Sequence, residues 1–164
     1  MTEVSRVDTI RELVEHSRGD YHRGPTAASP IHLWTVVRCM IAIARTKRAL
    51  RRGGLTKTLS ALRNRYARAS VATSVATPID PLALAAQDRI VAIAAAFYPG
   101  RALCLERSLV LYARLCRIGS TPEFQLGVQA APFGAHAWVT YDGVPVNDCA
   151  EHVSQFTVIP DAQP

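Results

Sequence analysis

The stretch FGAHAWVTYDGVPVNDC, residues 133–149, sets His136 between two alanines and ends on Asp148 and Cys149; upstream, Cys104 lies in YPGRALCLERSLVLYARLCRIG. A thiol, an imidazole and a carboxylate are the parts of nucleophilic acyl transfer. The thiolate attacks, the imidazole takes up and returns a proton, and the carboxylate orients the imidazole. Each member also has a plainer use. A free cysteine is most often a small buried hydrophobe, a strand histidine between alanines is often a core or edge residue, and an aspartate ending a strand makes a turn or a cap. The combination singles these three out.

Position strengthens the case for Cys104. Pro99-Gly100 breaks the chain, and Cys104 falls in the first turn of the helix that follows. Unpaired backbone N–H groups and the positive end of the helix dipole favour a thiolate there, and the same N–H groups can hold an oxyanion. Cys39 sits among Val36, Val37 and Met40, and Cys116 lies near the end of a leucine-rich helix, so both read as packing. The spacing holds no C-x-x-C or C-x-x-H, which leaves a structural zinc poorly supported. Neither G-x-G-x-x-G nor a Walker A motif occurs, so nothing here cradles a phosphate; with the cysteine spacing, this leaves no cofactor-binding or metal-binding residues expected.

The elements that must position these groups follow from periodicity. Apolar residues at helical spacing predict a helix over 3–17, then a turn-rich linker, RGDYHRGPTAASP. A second helix runs from Ile31 to about Arg52 with an apolar face of Leu33, Val36, Val37, Met40, Ile41 and Ala44; Gly53-Gly54 ends it and LTKTLSALRNRYARA restarts as a third. SVATSVATP reads as a connector. Asp80 then caps a fourth helix with Pro81 at its first position, and a fifth runs from about Leu103 to Arg117, closed by Gly119.

After Gly119 the period changes to two. EFQLGVQA, HAWVTY and VPVNDC read as three strands, and Asp142-Gly143 as a two-residue hairpin turn. Pairing Tyr141 with Val144 puts Ala137 opposite Asp148 and His136 opposite Cys149. A bulge near Pro145, which lacks an N–H, would instead bring Asp148 beside His136. Helices followed by a small antiparallel meander make the fold class α+β.

The chain has 164 residues, 49% of them hydrophobic, enough for one domain with a core or a small domain with a helical appendage. Its charge is uneven. Residues 1–79 hold 14 basic and 5 acidic residues, residues 80–164 hold 5 and 8. We therefore divide the chain into a basic helical N-terminal region, 1–79, and a region carrying the chemistry, 80–164. Nine Lys or Arg residues lie between Arg45 and Arg68 with only Tyr66 interleaved, and no helix-turn-helix or zinc-finger pattern is present. Nucleic acid is not favoured; a solvated face and a docking surface for an acidic protein or peptide both stay open. The start, MTEVSRVDTIRELVEH, lacks an apolar h-region, and WTVVRCMIAIA is too short to span a bilayer and holds Arg38. A cytoplasmic protein with reduced thiols and no transmembrane segment is expected.

The segments CLERSLVLYARLCRIG, FQLGV, AHAWVTYDG and VND, with Cys, His and Asp in that order, resemble the transglutaminase-like cysteine peptidases. More narrowly, they resemble the standalone leader peptidases (B proteins) of lasso-peptide biosynthesis. The resemblance covers about residues 80–159 and is loose over the basic helical half. It implies a papain/transglutaminase-like core, a cysteine-bearing helix packed on a small antiparallel sheet. Carried over by motif, it implies Cys104 as nucleophile, His136 as general base and acid, and Asp148 as the residue orienting the imidazole. The implied activity is removal of the leader from a ribosomally made precursor, without a cofactor. The implied partners are that precursor peptide, a small separate leader-recognition protein and an ATP-dependent macrolactam cyclase. VPVND is a short form of the aspartate segment, and Cys149 is not required by the pattern. Two other readings use the same residues differently: acyl or amide transfer to an amine by a transglutaminase-like enzyme, and a catalytically silent peptide-binding module.

Overall fold

The computed structural model describes residues 33–70 and 80–160, with positions 8 and 12. The helix expected over 3–17, the linker after it and the connector over 71–79 otherwise lie outside the described residues.

Helix α1, Leu33–Ser70, is two helices merged across a kink at Gly54, whose φ of 72° and ψ of −178° are non-helical. The break expected at Gly53-Gly54 is there, and the chain resumes helix directly after it, as the restart at Leu55 implies. A positive φ suits glycine because no Cβ opposes it. The buried stripe is Val36, Cys39, Ile43 and Leu59, whereas Leu33 and Ile41, assigned to the apolar face from sequence, are 77% and 51% exposed. WTVVRCMIAIA is apolar on more than one side, so periodicity alone could not choose the face that packing against the next two helices selects.

Those helices are α2, Pro81–Phe97, and α3, Cys104–Arg117. The Asp80 side chain accepts from Leu82 N–H at 3.0 Å, the expected cap with Pro81 behind it. Helix α3 ends at Arg117, and Gly119 follows with a φ of 85°. All three helices contact one another and share a core in which Val36, Ile43, Leu84, Leu109 and Leu115 are buried.

The sheet is antiparallel with strand order β3-β2-β1-β4. Strand β1 is Glu123–Gln129, β2 is Gly134–Tyr141, β3 is only Val144–Pro145, and β4 is Thr157–Val158. Phe124, Ala137, Val139, Tyr141, Val144 and Val146 complete the core under α3. The result is the α+β arrangement expected, a cysteine-bearing helix on a small curled sheet with helices before it. Three details differ. The third strand stops at Pro145, a four-residue helix α4, Ala150–Val153, follows the turn, and β4 returns to pair with β1 through Gly127 and Val128. No helix among the described residues is long and apolar enough to cross a membrane.

Candidate active site

The site is built where β3 leaves β2. Tyr141 pairs with Val144 and Thr140 with Pro145, as the hairpin turn dictates. Val146 N–H then donates to Val139 O at 2.8 Å. In a regular ladder Val139 N–H would return that bond to Val146. Instead it donates to the side-chain Oδ1 of Asn147 at 2.8 Å. One position further on, the Ala137 carbonyl accepts from Ser108 Oγ at 2.8 Å, and Asn147 Nδ2 donates to that same Ser108 hydroxyl at 2.9 Å. Two side chains thus satisfy the backbone groups that the departing strand would leave unpaired. They also tie α3, β2 and the Asp148 turn together. No bulge is involved; a side chain takes over from the backbone and frees the next residue to turn inward.

That residue is Asp148. His136 Nε2–H donates to its Oδ2 at 2.5 Å. The other oxygen accepts from Cys149 N–H at 2.8 Å and from His152 Nδ1–H at 2.9 Å. An ionised carboxylate only accepts, so the three donors fit the charged form. Burial raises the Asp148 carboxyl, but the bonds from His152, Cys149 N–H and His136 outweigh it, and the group sits below its ordinary range. The open register is therefore resolved toward Asp148: the carboxylate stands beside His136, and Cys149 is exposed. With Nε2 committed to Asp148, Nδ1 is the His136 nitrogen left to exchange a proton.

His136 is walled by aromatic rings. Trp138 stacks on it at 5.9 Å between centroids, with Phe156 at 5.2 Å and His152 at 4.9 Å. Gly127, opposite His136 on β1, makes room for this wall. A Cβ there would meet Phe156 Cβ at 2.8 Å and the Trp138 ring at 2.9 Å. Because Trp138 is only 3% exposed and the Phe156 contact is at its Cβ, neither can swing aside cheaply. Gly127→Ala is expected to cost ~1–3 kcal/mol, read as a fall in melting temperature of roughly 2–12 °C. An unchanged melting temperature would mean the wall is looser than described.

Cys104 is the first residue of α3. Leu103 precedes it without a capping side chain, but its N–H is held by the buried Glu106 carboxylate at 3.0 Å, half of a capping box that fixes where the helix begins. The first helical bond runs from Arg107 N–H to Leu103 O at 3.1 Å. The N–H groups of Cys104, Leu105 and Glu106 accordingly have no helical acceptor, as at any helix start. Ser108 lies one turn further along the same helix face, and its hydroxyl holds the carbonyl next to His136. Cys104 is half-buried. His136 and Asp148 are joined directly; the Cys104 thiol is hydrogen-bonded to neither among the described residues. Such contacts are often long before substrate binds.

His136, Asp148 and His152 each offer one atom that could ligate a metal, all within 4.8 Å of one another. His136 Nε2 and His152 Nδ1 already donate to Asp148. An ion held through those two nitrogens would have to displace both hydrogen bonds. Sequence reading did not single out His152, and it assigned no role to Asn147 or Ser108.

A family model described as the transglutaminase-like superfamily matches residues 33–161. The match runs from α1 through β4 and takes in Cys104, His136 and Asp148. No significant match was found among curated proteins or solved structures.

Proposed function

The chain belongs to the transglutaminase-like superfamily, and on that premise we propose that it is a cysteine peptidase that removes the leader from a ribosomally made lasso-peptide precursor. The observation that carries the chemistry is the His136–Asp148 pair, with the carboxylate on Nε2 and Nδ1 left for a thiol. In this reading Cys104 is the nucleophile, His136 the base and then the acid, and Asp148 the orienting group.

His136 Nδ1 accepts the Cys104 proton as sulfur attacks the carbonyl at the leader–core junction. The Cys104 N–H, at the start of α3, is one donor to the resulting oxyanion. The C–N bond breaks as His136 returns its proton to the departing amine. Water, deprotonated by the same imidazole, then hydrolyses the thioester to release a carboxylate and restore the thiol. The identity of the precursor class and of the partners, a small leader-recognition protein and a macrolactam cyclase, rests on the motif resemblance. A cytoplasmic setting is part of the proposal on the separate sequence expectation above. We assign the chemistry to residues 80–164 and a supporting and docking role to the basic helical region within 1–79.

Differential alkylation tests the reading. Burial pushes the Cys39 and Cys116 thiols up, away from the thiolate form, so both should label slowly. Cys149 is exposed and serves as the internal reference. Near neutral pH, iodoacetamide is expected to modify half-buried Cys104 faster than exposed Cys149. If Cys104 reacts more slowly than Cys149, the silent binding module becomes the better description. Product mass separates the other alternative: hydrolysis adds water at the cut carbonyl, whereas a transferase product carries the amine.

A further inference from the structure

One basic surface is not used by the chemistry above. Arg45, Lys47, Arg48 and Arg51 of α1 line an open groove of about 440 Å³ whose apolar surface includes Ile41 and Tyr98, and among the described residues its lining holds no carboxylate. The helix dipole accounts for cations in the last turn before the Gly54 kink, but Arg45 and Lys47 lie further back. Lys47 Nζ donates to the Arg101 carbonyl at 2.7 Å and sits 5.9 Å from the Tyr98 ring centroid. The groove is thus bonded to the segment that leads into Cys104. Even fully extended, the chain from Tyr98 to Cys104 spans at most about 20 Å.

We infer that this groove binds an acidic stretch of the substrate peptide, anchored by an apolar side chain, and delivers the bond to be cut to Cys104. The destination rests on the peptidase reading; the binding itself does not. Charge complementarity selects the ligand: four cations with no carboxylate beside them among the described lining residues attract carboxylates, and the apolar lining of Ile41 and Tyr98 takes a side chain between them. A single strand of nucleic acid fits less well, because it uses open aromatic faces for stacking, and Tyr98, the sole aromatic among the described lining residues, already carries Lys47 on its ring. An extended peptide in the groove passes Arg101 and reaches the start of α3 within a few residues.

The test uses the full chain carrying Cys104→Ala, so that turnover plays no part. Its probes are a short fluorescein-labelled peptide rich in glutamate around one leucine, the same peptide with glutamine for glutamate, and a single-stranded oligonucleotide of matched charge. Fluorescence anisotropy should show the glutamate peptide binding, the glutamine peptide binding at least tenfold more weakly, and added salt weakening the former. Arg48 and Arg51 are exposed, so Arg48→Gln with Arg51→Gln should leave the circular dichroism spectrum intact. The pair should weaken glutamate-peptide binding about tenfold. Arg65→Gln, an equal loss of charge per site on the exposed surface beyond the kink, should change binding by less than twofold. Equal binding of the two peptides overturns the inference. So does an equal loss from Arg65→Gln, which would mean diffuse attraction, and so does tighter binding of the oligonucleotide with the same groove dependence. If the glutamate peptide binds as expected but the wild-type chain leaves a lasso-type precursor uncut in the presence of its recognition protein, the peptidase reading fails and the groove stands.

Discussion

Cys104→Ala is expected to leave a precursor peptide uncut, with the turnover rate lower by ~10⁴–10⁶-fold and the melting temperature unchanged. The size follows from what the substitution removes and what it keeps. Alanine suits the first turn of a helix, and Glu106 still holds Leu103 N–H, so α3 begins where it did. The unpaired N–H groups and the His136–Asp148 pair remain, but the atom proposed to attack is gone. Exposed Cys149 lies directly after Asp148 and is a thiol beside the pair. Cys149→Ala is therefore the matched control and should cut at the wild-type rate. Mass spectrometry of the digest reads both variants. Cleavage by Cys104→Ala within tenfold of wild type would remove Cys104 from the mechanism, and a loss in Cys149→Ala instead would move the nucleophile there.

What could be read from the residues, and what could not, divides along physical lines. The Asp80 cap, the Asp142-Gly143 turn and the start of α3 are local: each is set by neighbours within a few residues, and each appears where the sequence places it. The pairing of His136 with Asp148 was legible only as a choice between two registers. The deciding event is the Asn147 side chain standing in for a backbone carbonyl, which no periodicity encodes. His152 escaped for a related reason. It lies on a four-residue helix, α4, too short to show a helical period, and its partner is Asp148, four residues back. Strand β4 is two residues long and its partner Gly127 is remote in sequence. The exposed face of α1 was misassigned because the helix is apolar on several sides, and only the packing of α2 and α3 could choose among them.

Asp148→Ala should lower the turnover rate by ~10³–10⁴-fold, and the reason goes beyond the loss of a charge. Without the carboxylate, nothing holds the proton on His136 Nε2, and the imidazole becomes able to place it on Nδ1, where it can no longer accept one from a thiol. The aromatic wall of Trp138 and Phe156 keeps the ring in place, so the expected defect is one of tautomer and charge, read in the rate of Cys104 alkylation as well as in cleavage. His152 supplies the contrast. It donates to the opposite oxygen of Asp148, so His152→Gln removes one of three donors and should slow cleavage by no more than about tenfold. The same geometry predicts an acid-side change. Because the Asp148 carboxyl is held below its ordinary range, its charged interactions stabilise the fold fully at pH values above that range and are lost as pH falls from it through the lower folded-state value. Wild type should thus lose stability toward low pH more steeply than Asp148→Ala, and their melting temperatures should converge in acid. If Asp148→Ala cuts within tenfold of wild type, the carboxylate has no part in orienting the base. If the two melting curves keep the same separation from neutral pH into acid, Asp148 is not the ionised acceptor that its three donors imply.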